Sequence, residues 1–309
     1  MIPVYNAEKT IPTIVDRLVS EFPSGYTLEV ILVNDRSRDG SEAACVRLFE
    51  KYKKVVRFYS LSRNVGEHNA VMAGLHKATG DYAVIMDDDF QNPISEAIKL
   101  VETALKNEFD VIYSYYDEKK HSFFRNSGSW ITDKAANILL NKPRDLYLSS
   151  FKVISRFVVD QIVKNQSPFP YIDGLILQIT DKIGKVRVEH HERETGRSGY
   201  TLPKLISLWL NMFTSFSVLP LRVSTIFGFL FSFFALIFGI YTMAEKISHP
   251  DLPLGYSALI VTISFSAGVQ LMVLGMVGEY VGRIFLSVNQ KPPFTIKRSF
   301  EFLEGRDSA

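Results

Sequence analysis

The stretch that decides the fold is Gly80-Asp81-Tyr82-Ala83-Val84-Ile85-Met86-Asp87-Asp88-Asp89-Phe90-Gln91-Asn92-Pro93. The run from Tyr82 to Met86 is apolar, short and partly β-branched, with Gly80 before it and Pro93 after it, and it reads as a buried strand. Three carboxylates arrive together where that strand must end. Adjacent Asp side chains repel one another, and an unpaired buried carboxylate is costly. A hard divalent cation relieves both problems. Mg²⁺ or Mn²⁺ suits oxygen ligands and is commonly held by one or two carboxylates plus substrate phosphates. An isolated Asp triplet also reads as a solvated acidic turn capping the next helix; its surroundings here select the cation.

Outward from this strand, the first 115 residues alternate strand and helix. Ile2–Val4 reads as a strand end, and Asn6 as the cap of a helix from about Ala7 to Ser20 with Pro12 near its first turn. Strands are expected at Leu28–Val33, Val55–Ser60 and Asp110–Tyr115. Helices are expected at Ser41–Tyr52, Glu67–Lys77 and about Ile94–Lys106. Strands spaced by helices of this length imply a parallel α/β sheet, whose ligands bind beyond the carboxyl ends of the strands. Polar residues gather at four of those ends: Tyr5-Asn6, Asn34-Asp35-Arg36-Ser37, Ser62-Arg63-Asn64 and Asp87-Asp88-Asp89. The chain opens within what should be the central first strand. This predicts that most of that strand is missing, through a late start or a truncation, with a weakened edge around Pro3 and Tyr5.

Residues 116–200 are less regular. Helical patterns occupy Ser122–Leu140 and Arg156–Lys164, Asp145–Lys152 is a loop or strand, Ile172–Ile179 is apolar, and Lys185–Glu189 alternates like a strand. Adjacent His190 and His191 would point to opposite faces of a strand, which favours a structural role over metal binding. A single cysteine, Cys45, excludes an intrachain disulfide and fits a reducing compartment. Lys plus Arg is 35 against Asp plus Glu at 33, so a net charge of +2 predicts no nucleic acid or other polyanion partner. The N-terminal residues show no signal-peptide pattern.

Hydrophobicity is concentrated near the C-terminus. Val223–Met243 and Leu254–Val277 are 21 and 24 residues without a charge, each longer than the roughly 20 needed to span hydrocarbon as a helix. The alternative is two buried helices of a soluble core, but nothing else in the chain could cover them. Leu202–Leu219 is amphipathic and suits a helix in the membrane interface. The loop Ala244–Pro253 carries Lys246 beside Glu245 and Asp251, whereas the outer flanks carry Lys204, Arg222, Arg283, Lys291, Lys297 and Arg298. The positive-inside rule then places both termini and the α/β domain in the cytoplasm, on the inner membrane.

Ile2-Pro3-Val4-Tyr5-Asn6-Ala7-Glu8, Val33-Asn34-Asp35-Arg36-Ser37-Arg38-Asp39-Gly40, Arg63-Asn64-Val65-Gly66-Glu67-His68 and Asp87-Asp88-Asp89-Phe90-Gln91-Asn92-Pro93 together resemble the successive motifs of family 2 glycosyltransferases, which have the GT-A fold. Gly278-Glu279-Tyr280-Val281-Gly282-Arg283 resembles the end of the second span in that family's polyprenyl-phosphate branch. The resemblance covers essentially the whole chain. It implies a GT-A, Rossmann-like nucleotide-sugar-binding domain over residues 1–200, an interfacial helix over 201–220, a transmembrane hairpin over 221–285 and a cytoplasmic tail over 286–309.

The resemblance also implies residue roles. Pro3, Tyr5 and Glu8 would line the nucleobase pocket, Asp35 would read base or ribose, and Arg63 and Gly66 would lie near ribose and diphosphate. Asp87 and Asp89 match the family's Asp-x-Asp acids, with Asp88 between them on the donor side. Asp89 and Gln91 would hold Mg²⁺ or Mn²⁺. Arg125 and Arg193 match basic positions for the acceptor phosphate. The family's Arg-x-x-Gly-x-Ser-Lys-Tyr appears as Arg193 to Tyr200 with Gly199 in place of Lys, and Arg197 is a candidate substitute. Relatives often carry Asp just before a Phe-Arg pair; Ser149-Ser150-Phe151-Lys152 fills that place, leaving Asp145 as the nearest acid and candidate base.

The expected activity is inverting transfer of one sugar from a nucleotide donor, expected to be UDP-linked, to undecaprenyl phosphate, with a homo-oligomer admitted by the resemblance. Two rivals are a non-catalytic nucleotide-binding membrane scaffold and a processive polysaccharide synthase. The latter needs a Gln-x-x-Arg-Trp motif, and Trp130 and Trp209 lie in no such context.

Overall fold

The computed structural model describes residues 1–116, 143, 146–168, 170–189, 219–249, 255–289 and 292–302. Residues 1–202 and 290–309 make one compact unit, and residues 203–289 a second.

The first unit opens with β1 (Ile2–Val4), α1 (Ile11–Glu21), β2 (Val30–Asn34), α2 (Ser41–Lys51), β3 (Val56–Leu61), α3 (Glu67–Leu75), β4 (Tyr82–Ile85), α4 (Ile94–Asn107) and β5 (Val111–Tyr115). It continues with β6 (Lys152–Ser155), α5 (Arg156–Ile162), α6 (Ile172–Ile179), β7 (Ile183–Arg187) and, after the second unit, β8 (Ile296–Phe300). The strands form two four-stranded sheets in the orders β1-β2-β3-β8 and β4-β6-β5-β7. Met1 joins them: its nitrogen donates to the Val84 carbonyl at 2.8 Å and its carbonyl accepts from Met86 N at 3.2 Å. β1 therefore lies beside β4 at the centre of one row.

Alternation within β2 shows why the row is buried on both sides. Val30 and Leu32 join a core with α1, α2 and α4 on one face, and Ile31 and Val33 pack with Ala70 and Ala73 of α3 on the other. A strand covered on both faces reads as a continuous apolar run, as Val30–Val33 does.

The strands of the first 115 residues run parallel as expected, and the later strands add antiparallel partners. β1, β2 and β3 are parallel, as are β5 and β7. β6 runs antiparallel to both β4 and β5, and β8 antiparallel to β3. Being antiparallel to both neighbours, β6 starts at the rim where β4 and β5 finish. Ser150 is thereby delivered beside Asp87.

The expected cap at Asn6 is corrected. α1 begins at Ile11, with Pro12 in its first turn. Asn6 instead takes a left-handed conformation (φ 57°), donates its N–H to Ser37 Oγ and accepts from Arg38 N through Oδ1. The segment read as a tail contains β8, which covers the open edge of β3. Phe300 stacks on Phe58 with centroids 5.5 Å apart, and Arg298 pairs with Glu42 at 3.3 Å. Covering an edge removes a template for aberrant strand pairing.

The second unit consists of α7 (Leu219–Ser248), of 30 residues, and α8 (Tyr256–Val288), of 33. Over Leu221–Ser248 and Leu259–Val288 both helices are long and apolar enough to cross a membrane. Ser224 Oγ meets Met276 Sδ, and the Phe231 ring meets that of Phe265. One residue number rises as its partner's falls, which defines an antiparallel hairpin. Large apolar side chains such as Phe229 and Met272 face outwards.

Candidate active site

The rim of the first unit is laced together in sheet order. At the β3 end, the Asp35 carboxylate accepts from Val65 N at 2.7 Å and from Gly66 N at 2.9 Å, while Asn64 Nδ2 donates to the Asp35 carbonyl. Asp35 is buried, and burial raises its pKa against the lowering effect of the two backbone donors. Between β2 and β1, Ala7 N donates to Ser41 Oγ, Glu8 N to Asp39 Oδ2, and Gly40 N to Glu8 Oε2. Between β1 and β4, Tyr5 N donates to Asp88 Oδ2 at 3.1 Å. Between β4 and β6, Ser150 Oγ donates to Asp87 Oδ2 at 2.6 Å.

This lacing keeps the three adjacent aspartates apart. Asp87 is tied to the start of β6, Asp88 to the loop after β1, and Asp89 to its own turn, where Oδ1 accepts from Gln91 N at 3.2 Å. Phe90, inside that turn, has a φ of 62°, a conformation unfavourable for a bulky side chain and characteristic of functional sites. Desolvation, augmented by the charges of Asp87 and Asp89 and opposed by the Tyr5 N–H, pushes Asp88 up to about 6. Glu67, at the start of α3, is pushed up to about 7, first by desolvation and then by Asp87, with Lys152 acting in the opposite direction.

Among the described residues no group of three or more His, Cys, Asp or Glu side chains gathers at metal-holding distance. The oxygen donors of the Asp87–Gln91 turn nonetheless fit a cation whose coordination is completed by substrate phosphates, because one or two carboxylates suffice for such a site. Desolvation first, and then the charges of Asp87 and Asp89, raise Asp88, and a cation would offset those charges.

Pro3 lies half-buried in β1 opposite Val33, and the exposed Tyr5 ring sits on the rim. Arg63 is exposed in the loop after β3. The structure brings Pro3, Tyr5, Glu8, Asp35, Arg63, Gly66, Asp87, Asp88, Asp89 and Gln91 to one end of the sheet. The carboxylates of Glu8 and Asp35 are committed to backbone donors of that frame. Asp145, Arg125, Arg193 and Arg197 lie outside the described residues, as do His190, His191, the Ser122–Leu140 pattern and most of the expected interfacial helix at 202–219.

Gly66 is a position where glycine is required by the backbone. Its φ of 87° is disfavoured for other residues, although a Cβ there would meet nothing within 4 Å. Gly66→Ala should therefore cost about 1–3 kcal/mol through backbone strain alone. It should also raise the donor KM by loosening the Asp35 contact. Thermal melting and donor titration check this; an unchanged melting temperature would contradict it.

A buried polar cluster beneath the rim was not anticipated as part of the site. Lys152 of β6 forms an ion pair with Asp173 of α6, and both are almost fully buried. Asp173 Oδ1 also accepts from Tyr113 OH at 2.8 Å, and Lys152 Nζ lies 5.1 Å from the Tyr113 ring centroid. His68 packs edge-on against Tyr171 with centroids 5.2 Å apart, and burial lowers its pKa. Lys152 is visible in the sequence as part of Ser-Ser-Phe-Lys, whereas Asp173 sits in a short apolar run that gives it no functional context.

The glycosyl transferase family 2 profile matches residues 1–163, and a GtrB C-terminal hairpin profile matches residues 219–284. The chain belongs to glycosyl transferase family 2, and its first unit is a mixed α/β domain of the GT-A type. It is 31% identical over 301 residues to a prophage bactoprenol glucosyl transferase homolog of Escherichia coli (strain K12), covering 96% of this chain and 97% of the relative. It is 29% identical over 301 residues to an undecaprenyl-phosphate 4-deoxy-4-formamido-L-arabinose transferase of Klebsiella pneumoniae (strain 342), covering 96% and 92% respectively. Among solved structures, glucosyl-3-phosphoglycerate synthase from Mycobacterium tuberculosis aligns with a TM-score of 0.49 and 18% identity, over 70% of this chain and 76% of that one.

Proposed function

We propose that this protein is a membrane-anchored glycosyltransferase that moves a single sugar from a UDP-sugar to undecaprenyl phosphate, with inversion and with a bound divalent cation. The observation that carries the reading is the near full-length similarity to two transferases named for bactoprenol or undecaprenyl phosphate, in a chain that also has the matching C-terminal hairpin.

The chemistry follows from the rim. A lipid phosphate oxygen attacks the anomeric carbon, the bond from that carbon to the donor diphosphate breaks, and its electron pair leaves with the nucleotide. Asp89 and Gln91 would hold Mg²⁺ or Mn²⁺, which when bound offsets charge on the leaving diphosphate. Asp87 and Asp88 orient the donor's sugar and diphosphate, and Pro3, Tyr5, Arg63 and the Asp35-braced Gly66 loop receive the nucleoside end. Arg125, Arg193 and Arg197 would hold the acceptor phosphate, for which guanidinium geometry is suited. A phosphate monoester, with a second pKa of about 6, is largely dianionic at neutral pH. It has little proton to surrender, and Asp145 is then at most an auxiliary base.

We assign the hairpin to the bacterial inner membrane, with the α/β unit and both termini in the cytoplasm. What supports this is chain connectivity: residues on both sides of the hairpin belong to one folded unit, through β8 pairing with β3. An even number of crossings must therefore separate them. The outer-flank basic residues then favour the cytoplasmic side.

The test uses the full-length protein in detergent with Mn²⁺ and a panel of UDP-sugars. Release of UDP from one donor should require undecaprenyl phosphate and should not occur with an undecaprenol control. Equal release with the alcohol, or none with any donor, would overturn the reading.

A further inference from the structure

We propose that Ser150 is a positioning residue for Asp87: its hydroxyl fixes the orientation in which that carboxylate faces the donor. This rests on the reading of the rim as a nucleotide-sugar site. Ser150 Oγ lies 2.6 Å from Asp87 Oδ2, the length of a strong hydroxyl–carboxylate bond. The bond acts where orientation is most at risk, because Asp87 is followed directly by two more acids and carboxylates repel at this spacing.

Ser150 is held on both sides in chain order. Before it, Ser149 Oγ accepts from Ser114 Oγ at 2.8 Å and from Phe151 N at 3.2 Å, and is buried. After it, Phe151 is fully buried in the main core, and Lys152 is locked on Asp173. The same frame reaches the far side of the acidic turn, where Tyr116 OH donates to Asn92 Oδ1 at 3.1 Å. The start of β6 is thus a fixed platform, and the exposed Ser150 side chain is the element of it that reaches Asp87. A serine hydroxyl is no general base at neutral pH. Its contribution is orientation, which suits an acceptor that arrives already ionised.

The experiment compares the full-length wild type with Ser150→Ala, Ser150→Thr and Asp89→Ala. Turnover is read with UDP-glucose and undecaprenyl phosphate. Binding of UDP is read separately by calorimetry over a Mn²⁺ titration, and the melting temperature is recorded for each variant. Ser150→Ala should lower donor kcat/KM about tenfold and raise the Mn²⁺ concentration needed for UDP binding severalfold, as expected for loss of a hydrogen bond to a charged group. Its acceptor KM and melting temperature should stay at the wild-type values, and Ser150→Thr, which keeps the hydroxyl, should recover most of the loss. Wild-type values in Ser150→Ala would overturn the proposal. So would a Thr variant as impaired as the Ala variant, or a collapsed melting temperature in Ser150→Ala, which would mark a structural role. A wild type that binds Mn²⁺ and UDP but transfers no sugar counts against the functional reading alone, since the binding arm still reports on Ser150.

Discussion

Asp89→Ala is expected to reduce sugar transfer by roughly 10²–10³-fold, the scale associated with removing a preorganised stabiliser of developing charge. Two properties of Asp89 combine to give so large an effect. It belongs to the turn that would hold the cation, and its Oδ1 shapes that turn by accepting from Gln91 N across the left-handed Phe90. Alanine removes both the charge and the acceptor. Asp89→Asn separates them, because an amide oxygen can still accept from Gln91 N but carries no charge. Asp89→Asn should retain the wild-type melting temperature and still lose most activity, with metal-dependent UDP binding weakened in parallel. Turnover and calorimetry on both variants check this. Full activity in Asp89→Asn would mean that the charge at this position is not used.

The largest expected effect on stability is at Lys152. Lys152→Met leaves the Asp173 carboxylate buried with Tyr113 OH as its remaining described hydrogen-bond partner. Removing one member of a buried ion pair typically costs about 3–5 kcal/mol, because the other charge stays desolvated. For a chain of this size the corresponding fall in melting temperature is on the order of ten degrees. The double variant Lys152→Met/Asp173→Leu removes both charges and should recover most of the loss, since an apolar replacement of a buried pair is often neutral or stabilising. Thermal melting of the single and double variants in one detergent gives the comparison. A single variant that melts like the wild type would show that Asp173 finds compensation elsewhere.

Periodicity made the donor half of the fold legible. β1 to β5 and the helices between them fall where the apolar runs and turn residues put them, within a few residues at their ends. The reason is that Val30–Asn34 and its neighbours are buried on both faces, so strand identity is written as continuous hydrophobicity. The direction of β6 was not legible. It is a property of tertiary pairing: β6 bonds antiparallel to both β4 and β5, and nothing within Lys152–Ser155 records which way that strand runs. Without that direction, Ser150 could not be placed at the rim and appeared as the place of a missing acid. β8 was hidden for a similar reason: Ile296-Lys297-Arg298-Ser299-Phe300 reads as polar tail, and its partner strand β3 lies far away in sequence. The three aspartates stand out in the sequence as a candidate site, but the means of separating them does not. That depends on Tyr5 N and Ser150 Oγ, donors from segments that only the folded sheet makes neighbours.

In the proposed reaction a sugar, without its phosphate, moves onto the phosphate already carried by the lipid. Phosphorus NMR with mass spectrometry of the purified lipid product tests this most directly, after incubation of the protein with undecaprenyl phosphate, Mn²⁺ and the active UDP-sugar. One phosphorus environment is expected, that of a phosphodiester joining sugar and lipid, with free UDP as co-product. A product with two coupled phosphorus atoms and release of UMP would mean that sugar phosphate is transferred, and would contradict that reaction.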